Sequence, residues 1–253
     1  MCILAWHWQP GAATELLLVA NRDEFYARPT ESLRLWPGGQ VLAGRDLQAG
    51  GTWMGVSRTR RFAALTNYRS GLAPAPEAAS RGTLVSEFLH TDITARDYLA
   101  QLAPRSHLYN PFNLLVWDGW QLLGLEGRHG RIVQMAPGWG AVSNADFHTP
   151  WPKLLRLQSS LQGAVQATRC EDADLLQLLA DSTPAPEADL PDTGIAPAME
   201  RALSSIFIRT PAYGTRASSV VKVSGHSARF TEQTHGAQGP GACSTASLVF
   251  AST

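Results

Sequence analysis

The second residue of the chain is a cysteine, which becomes the N-terminal residue if Met1 is removed. Aminopeptidases remove an initiator methionine when the next residue is small, as Cys2 is. A free α-amine titrates with a pKa of about 7.7–8.0, so it can accept the thiol proton and generate the nucleophilic thiolate. Nucleophile and base would then belong to one residue. The alternative is a small buried hydrophobe, because cysteine is among the most buried residue types.

Polar residues follow the second apolar run of the chain, in the segment ANRDEFYARP. If the first two apolar runs pair through the turn between them, paired positions sum to about 23. Cys2 then lies opposite Asn21 and close to Arg22 and Asp23. A guanidinium stabilises a thiolate, and a carboxylate can hold an ammonium group in place. The alternative for Arg22 and Asp23 is an ordinary ion pair.

Three further polar residues are expected at the ends of strands. Asn67 lies in ALTNYR, Asn144 in GAVSNAD and Arg216 in YGTRASS. An asparagine amide is a good donor to an oxyanion, especially beside a backbone N–H. Taken singly, each asparagine could be a turn residue and the arginine a surface charge. Together with Cys2 and Asp23 they indicate a nucleophilic site.

Composition argues against several classes of function. Lys plus Arg and Asp plus Glu are both 21, so the net charge is zero and no nucleic-acid partner is indicated. The chain has no P-loop, no dinucleotide-binding glycine motif and no paired histidine motif, so we expect neither a nucleotide cofactor nor a metal site. The expected cofactor set is therefore empty.

The cysteines and the apolar runs predict where the protein resides. The three cysteines (Cys2, Cys170 and Cys243) are odd in number and widely spaced, which favours a reducing compartment over a disulfide framework. The longest apolar runs are far shorter than the ~20 residues that cross a bilayer. No signal-peptide pattern is evident at the start. We expect a cytoplasmic protein without a membrane span.

The order of elements predicts an α+β fold. Strand-like runs occur as hairpins rather than as alternating βαβ units, and amphipathic helices are expected over 80–90, 94–103, 150–165 and 172–180. Ser80 and Thr94 are the expected helix N-caps, and 204–209 is expected to be a strand. Such an order favours antiparallel sheets with helices on their outer faces, within one domain spanning 1–253.

The segment ANRDEFYARP resembles the signature of the NRDE family, also called the transport and Golgi organisation protein 2 family. Further segments resemble that family in the same order over nearly the whole chain: AGRDLQAGGTWMGVS, ALTNYR, NPFNLLV, VSNAD followed by WPK, and IFIRTPAYGTRASSVV. The tetrapeptide NRDE alone is a weak signal, whereas the ensemble is specific.

This resemblance implies an N-terminal nucleophile (Ntn) hydrolase with a four-layer αββα sandwich, closest in pattern to bile-salt hydrolase and penicillin V acylase. By the same resemblance Cys2 matches the nucleophile and Asp23 the carboxylate that orients its amine. Asn67 and Asn144 match the asparagines that hold the oxyanion and position the amine. Arg216 matches the late arginine that supports the thiolate.

One position departs from the acylase pattern. Those enzymes carry their first arginine three residues before the aspartate, where this chain has Ala20. Arg22 adjoins Asp23 instead, and neighbours on a strand face opposite ways. Arg22 and Asn21 are therefore expected to support the site rather than to perform the chemistry.

Two functions are consistent with these residues. The first is hydrolysis of a non-peptide C–N amide bond of a small molecule, through a thioester on Cys2. It requires the loss of Met1. The second is a non-catalytic binding or trafficking protein for a hydrophobic ligand, with haem as the named candidate. Neither the substrate nor the oligomeric state follows from the sequence.

Overall fold

Hairpin-forming segments build two antiparallel β-sheets in the computed structural model of this chain, which describes residues 2–251. The strands of the described residues are β1 Cys2–Trp8, β2 Leu16–Phe25, β3 Thr30–Leu35, β4 Val41–Asp46, β5 Met54–Ser57, β6 Arg61–Asn67, β7 Phe112–Trp117, β8 Leu122–Glu126, β9 Arg131–Gln134, β10 Gly138–Val142, β11 Tyr213–Val223, β12 Ser227–Gly236 and β13 Gly239–Val249. The first sheet has the order β10-β1-β2-β11-β12-β13, and the second runs from β3 to β9 in chain order.

Helices lie against the outer face of each sheet. The α-helices of the described residues are α1 Gly82–His90, α2 Ala95–Leu102, α3 Pro152–Gln166, α4 Asp172–Leu178 and α5 Pro197–Ala202, with 3-10 turns at Ala103–Leu108 and Glu187–Asp189. Apolar side chains of α1 and α2 pack on the second sheet, and those of α3 and α4 pack on the first. A third apolar cluster fills the space between the sheets. The expected four-layer αββα sandwich is confirmed.

The register of the first hairpin differs by one residue from the expected one. Cys2 pairs with Arg22 rather than with Asn21, and Trp8 pairs with Leu16 across a loop that turns at Gly11 with φ 77°. Because side chains alternate between the faces of a strand, this shift places Arg22 on the face of Cys2 and turns Asn21 to the other side.

Two local expectations were wrong. Residues 204–209 form no strand: Arg209 makes only an isolated bridge with Gly214 of β11, and the buried Ile208 donates its N–H to the Thr215 side chain at 2.9 Å. A short apolar run cannot by itself distinguish a strand from a buried irregular segment. Ser80 is not an N-cap, because α1 begins after Arg81 and without a side-chain cap. Thr94 does cap α2, accepting the Asp97 N–H at 3.1 Å.

A glycine on β10 allows the buried ring of Trp6 to approach the backbone closely. A Cβ at Gly140 would lie 2.3 Å from a ring carbon of Trp6, which is buried in the inter-sheet core. We expect Gly140→Ala to lower the free energy of unfolding by about 1–3 kcal/mol through overpacking. Urea unfolding measures this, with Gly163→Ala as control.

The control is matched because it makes the same substitution in an open position. A Cβ at Gly163, within α3, meets no atom within 4 Å among the described residues. Alanine favours a helix over glycine, so Gly163→Ala should gain about 0.5–1 kcal/mol. Equal stabilities for Gly140→Ala and the unmodified protein would show that the Trp6 ring moves at no cost.

Candidate active site

A polar cleft of about 290 Å³ lies where β1 and β2 of the first sheet approach the end of β6 in the second. Its wall includes Cys2, Arg22, Asp23 and Asn67, which come from three different strands. The hairpin places the first three together because Cys2 and Arg22 are directly paired. The structure thus brings four of the seven expected site residues to one cleft.

The Cys2 thiol is buried, with 8% of the residue exposed. Burial raises the pKa of the thiol and the Asp23 carboxylate adds to this, whereas Arg22 and a hydrogen bond from the Asp23 backbone N–H lower it. Because burial dominates, the sulfur is a thiol at neutral pH. Any nucleophilic role for Cys2 therefore requires a base that removes its proton.

Asp23 lies beside Cys2 and is almost fully buried. Its Oδ1 accepts a hydrogen bond from the Thr215 hydroxyl at 2.8 Å, and its backbone carbonyl accepts one from the Tyr213 hydroxyl at 3.0 Å. Burial raises the pKa of the Asp23 carboxyl, and Lys153 opposes this. Strand β11 therefore fixes the position of the carboxyl next to the thiol.

Asn144 lies behind the cleft rather than on its wall. It is fully buried, its Nδ2 donates to the Asn67 backbone carbonyl at 2.9 Å, and its Oδ1 accepts from the Ser143 hydroxyl at 3.2 Å. The Ser143 hydroxyl also lies 3.1 Å from the Cys2 carbonyl, so Asn144 Oδ1 and this carbonyl share its proton. The Asn144 amide thus holds Asn67 directly and is linked to Cys2 only through Ser143.

A buried lysine that the sequence analysis did not select lies in the same network. Lys153 on α3 is 2% exposed, and its Nζ donates to the Leu203 carbonyl at 3.0 Å and to Asn144 Oδ1 at 3.5 Å. Burial lowers the pKa of its ammonium to about 7, Arg69 acts in the same direction, and Asp23 opposes both. Proton occupancy at Lys153 therefore changes close to neutral pH.

Because the pKa of Lys153 is lowered by burial, we expect the free energy of unfolding to depend on pH. The ordinary pKa of lysine is 10.5, so between pH 7 and 10.5 the unfolded state binds more protons at Lys153 than the folded state does. The free energy of unfolding therefore rises with pH across that window, by up to about 1.4 kcal/mol per unit. The cost of burying the ammonium is fully present below pH 7.

Lys153→Met removes this titrating group. We expect its stability relative to the unmodified protein to be most favourable near pH 6, and to fall steadily as the pH is raised to 10. Urea unfolding of both proteins at each pH measures the difference, in which the titrations of other groups largely cancel. A difference that does not vary with pH would contradict the assigned pKa.

An arginine–glutamate pair completes the buried network. Arg69 Nη1 contacts Glu200 Oε2 at 2.5 Å, with both side chains 4% exposed, and the guanidinium lies 4.8 Å from the centre of the Trp151 ring. Glu200 Oε1 also accepts the Thr193 N–H at 3.0 Å. The pair ties the segment around α5 to the end of β6, two residues beyond Asn67.

Arginines line the side of the cleft opposite the buried network. The Arg22 guanidinium lies over the Trp53 ring at 4.2 Å and contacts Asp46 at 3.6 Å. Arg81 donates to the Pro111 carbonyl at 3.1 Å. Burial lowers the pKa of Arg81, and Cys2 is among the groups that oppose this. The cleft therefore presents cationic groups near the thiol.

Two expected site residues lie elsewhere. Asn21 points towards the helix layer, where its Nδ2 donates to the Leu179 and Ile206 carbonyls, both at 2.9 Å. Arg216 sits at a β-bulge in β11 and lines a separate cavity. Its Nη1 donates to the Phe25 carbonyl at 2.7 Å. The structure thus gives Asn21 a packing role and does not bring Arg216 to the cleft.

One residue of the buried network that was not expected, Lys153, could have been found from the sequence. Lys153 precedes Leu157 and Leu161 at intervals of four, so it lies on the buried stripe of α3. Arg69 lies within the ALTNYR motif, but no pattern in the sequence indicated a role for its side chain in the site. The same is true of Arg81.

No helix among residues 2–251 combines the length and the apolar character needed to cross a membrane. Within the same residues, no group of three or more His, Cys, Asp or Glu side chains is arranged to hold a metal ion.

A family model described as Transport and Golgi organisation 2 matches residues 1–236. The Transport and Golgi organization protein 2 homolog of Homo sapiens is 34% identical over 259 residues, which is 92% of each chain. The homolog of Bos taurus is 37% identical over 261 residues, again 92% of each chain. The Drosophila melanogaster protein is 28% identical and covers 89% of this chain and 88% of its own.

Two solved structures are more remote. A Caenorhabditis elegans N-acylethanolamine-hydrolyzing acid amidase ortholog is 11% identical with a TM-score of 0.48, covering 71% of this chain and 86% of its own. A mutant conjugated bile acid hydrolase from Clostridium perfringens is 8% identical with a TM-score of 0.45, covering 100% of this chain and 97% of its own. The strand order and the layers are properties of this chain's own structure.

Proposed function

This chain belongs to the Transport and Golgi organisation 2 family, and from its cleft we propose that it is a cysteine amidohydrolase cleaving a non-peptide C–N bond of a small molecule. The observation that carries the proposal is the meeting of the Cys2 thiol with Asp23, Arg22 and Asn67 in one cleft. The resemblance of its motifs to those of Ntn hydrolases supports the same chemistry.

The reaction starts with proton transfer from the Cys2 thiol to the α-amine of the same residue. The sulfur attacks the amide carbonyl carbon, the C–N bond breaks, and the ammonium returns the proton to the leaving amine. Water, deprotonated by the α-amine, then attacks the thioester and releases a carboxylic acid and the free thiol. Asp23, which is adjacent to Cys2, holds the ammonium form.

Asn67 is the oxyanion donor in this proposal, because it lies on the wall of the cleft beside Cys2. Asn144 acts through it as a positioning residue: its amide is hydrogen-bonded to the Asn67 carbonyl at 2.9 Å. Such a preorganised donor typically contributes about 3–4 kcal/mol of transition-state stabilisation. Arg22 stabilises the thiolate from the face that it shares with Cys2.

The lining of the cleft favours hydrolysis over the alternative of a hydrophobic ligand such as haem. Polar atoms supply most of the exposed surface of the wall. Beside several small apolar side chains, the described wall carries six charged ones: Arg22, Asp23, Glu24, Arg28, Asp46 and Arg81. Sites for apolar ligands are mainly lined by hydrophobic and aromatic side chains. Of the side chains that ligate haem iron (His, Met, Tyr and Cys thiolate), the described wall holds only Cys2, whose burial keeps it a thiol.

The mechanism requires that Met1, which lies outside the described residues, is absent from the working protein. Intact-mass measurement of the purified protein tests this directly. The protein is then mixed with a panel of small N-acyl amides, quenched with acid within one turnover and digested. The proposal predicts an acyl group on the peptide that begins with Cys2, and its release by hydroxylamine, as a thioester requires.

Cys2→Ser provides a second form of the same test. Its hydroxyl forms an ester that deacylates more slowly, so the adduct should accumulate on the same peptide. Cys243→Ala is the matched control, because Cys243 is exposed on β13 and its loss should leave acylation unchanged. Retention of Met1, or no adduct across the panel, would refute the proposal.

A further inference from the structure

A second cavity, of about 250 Å³, lies on the far side of the Arg22–Trp53 pair from the cleft. Both residues line the two cavities, so the stacked pair forms the wall between them. The remaining wall of the second cavity includes Arg216, Glu232 and His235 from β11 and β12. Nothing in the hydrolytic mechanism uses this space.

Glu232 is a buried acid, and only one of its two carboxyl oxygens accepts a hydrogen bond from the described residues. The residue is 1% exposed, and its Oε1 accepts the Leu33 N–H at 2.7 Å. Its Oε2 is also buried and has no hydrogen-bond partner among residues 2–251. Burial raises the pKa of this carboxyl to about 7, and Arg22 opposes that shift. An unpaired buried oxygen is costly, and proteins retain few of them without a reason.

Arg216 lines the same cavity and carries an unpaired donor. Its Nη1 is fixed by the carbonyls of Phe25, Tyr26 and Arg28, at 2.7, 3.0 and 3.1 Å. Its buried Nε has no partner among the described residues. Because three carbonyls hold one end of the guanidinium, the Nε–H bond has a fixed direction. Between them, two residues that line the cavity thus carry one unpaired donor and one unpaired acceptor.

We propose that this second cavity binds a small carboxylate that carries a hydrogen-bond donor on the adjacent carbon, that is, an α-amino or α-hydroxy acid. A carboxylate oxygen accepts from Arg216 Nε, and the amino or hydroxyl group donates to Glu232 Oε2. Two guanidinium groups, those of Arg22 and Arg216, and one carboxyl line the cavity, so the charge favours an anionic group over a simple amine.

The remaining titratable group of the wall adds no cationic charge at neutral pH. Burial lowers the pKa of His235, whose Nε2 lies 3.0 Å from the Ser218 hydroxyl. The neutral imidazole can therefore act as a polar wall without competing for the carboxylate. The cavity shares Arg22 with the proposed hydrolase, but neither residue that would bond the ligand, Arg216 or Glu232, takes part in that chemistry, so the site does not rest on the proposed function.

Four probes of nearly equal size separate the two interactions. Alanine carries both groups with an ammonium donor, lactate carries both with a hydroxyl donor, propionate lacks the donor, and isopropylamine lacks the carboxylate. Ligand-detected NMR with the full chain measures their dissociation constants. We expect alanine and lactate to bind at least about tenfold more tightly than propionate and isopropylamine. The preference between alanine and lactate identifies the class of donor.

The Glu232→Gln variant tests the assigned contact. Glutamine keeps an oxygen for the Leu33 N–H but replaces the anionic acceptor at Oε2 with a donor, so alanine binding should weaken about tenfold. Glu187→Gln makes the same change on an exposed carboxylate outside the cavity and should change nothing. Cys2→Ala should also retain binding, which separates this proposal from the hydrolase.

Three results would overturn the proposal. The first is that neither alanine nor lactate binds, the second is that propionate binds as tightly as lactate does, and the third is that Glu232→Gln binds alanine as tightly as the unmodified protein does. Circular dichroism of each variant establishes that it is folded before binding is compared. Arg216→Lys is a second variant, which keeps the charge but lacks Nε; its affinity for lactate should also fall about tenfold.

Discussion

Replacing Cys2 with alanine is expected to reduce amide hydrolysis by at least about 10³-fold, to the level of background. The physical reason is the loss of the only thiol on the described wall of the cleft, without which no thioester can form. Substrate binding should persist, because the arginines and the Trp53 ring of the cleft remain. The measurement is kcat and KM on the best substrate of the amide panel.

Stability provides the check that this loss is chemical. Alanine fits wherever cysteine fits, and Cys2 lies at the edge of the inter-sheet core, so the free energy of unfolding should change by about 1 kcal/mol or less. Cys243→Ala, which removes an exposed thiol from β13, should retain full kcat. If Cys2→Ala kept more than about a tenth of the activity, Cys2 would not be the nucleophile.

The largest effect on stability is expected at Glu200. Glu200→Gln removes the negative charge that faces Arg69 in a site where both side chains are 4% exposed. At pH 6, where Lys153 is protonated, Arg69 and Lys153 then remain as two buried cationic groups without that carboxylate. We expect the free energy of unfolding to fall by about 3–5 kcal/mol, because one partner of a buried ion pair has been removed. Denaturant unfolding measures the loss.

A double variant distinguishes lost charge compensation from lost packing. Lys153→Met removes a neighbouring cationic group whose pKa Glu200 raises. In the Lys153→Met background, Glu200→Gln should therefore cost about 1 kcal/mol less than in the unmodified protein. Exactly additive losses would mean that the two groups do not interact. Asp174→Asn, at an exposed position of α4, is the matched control for loss of a carboxylate and should lie within about 0.5 kcal/mol of the unmodified protein.

The layers of the fold could be predicted because they depend on local patterns. Apolar runs joined by short turns predicted hairpins, and the helical spacing around Leu157 and Leu161 predicted the outer layer. The ordered motifs identified the family. Strands β3, β4 and β10 were not anticipated: only one residue of β3 is buried, and glycine interrupts the apolar pattern of β4 and β10.

The proximity of Cys2 to Asp23 was also predictable in outline, because counting across one hairpin limits the error to a residue or two. An error of one residue in the register decides which side chains share a face with Cys2. Side chains alternate along a strand, and the loop between β1 and β2 is one residue longer than expected. As a result Arg22, and not Asn21, lies on the face of the thiol. Turn geometry decides this register, and the sequence of this loop did not specify it.

What the sequence determined by itself was the family, the αββα layering and the presence of a thiol and a carboxylate on one hairpin. Only the tertiary structure decided that Lys153 and Arg69 lie behind the cleft and that Arg216 lines a different cavity. The reason is that these contacts join segments far apart in the chain, and no local period encodes their distances. Burial, which sets the charge state of Lys153 and Glu232, exists only once the layers have packed together.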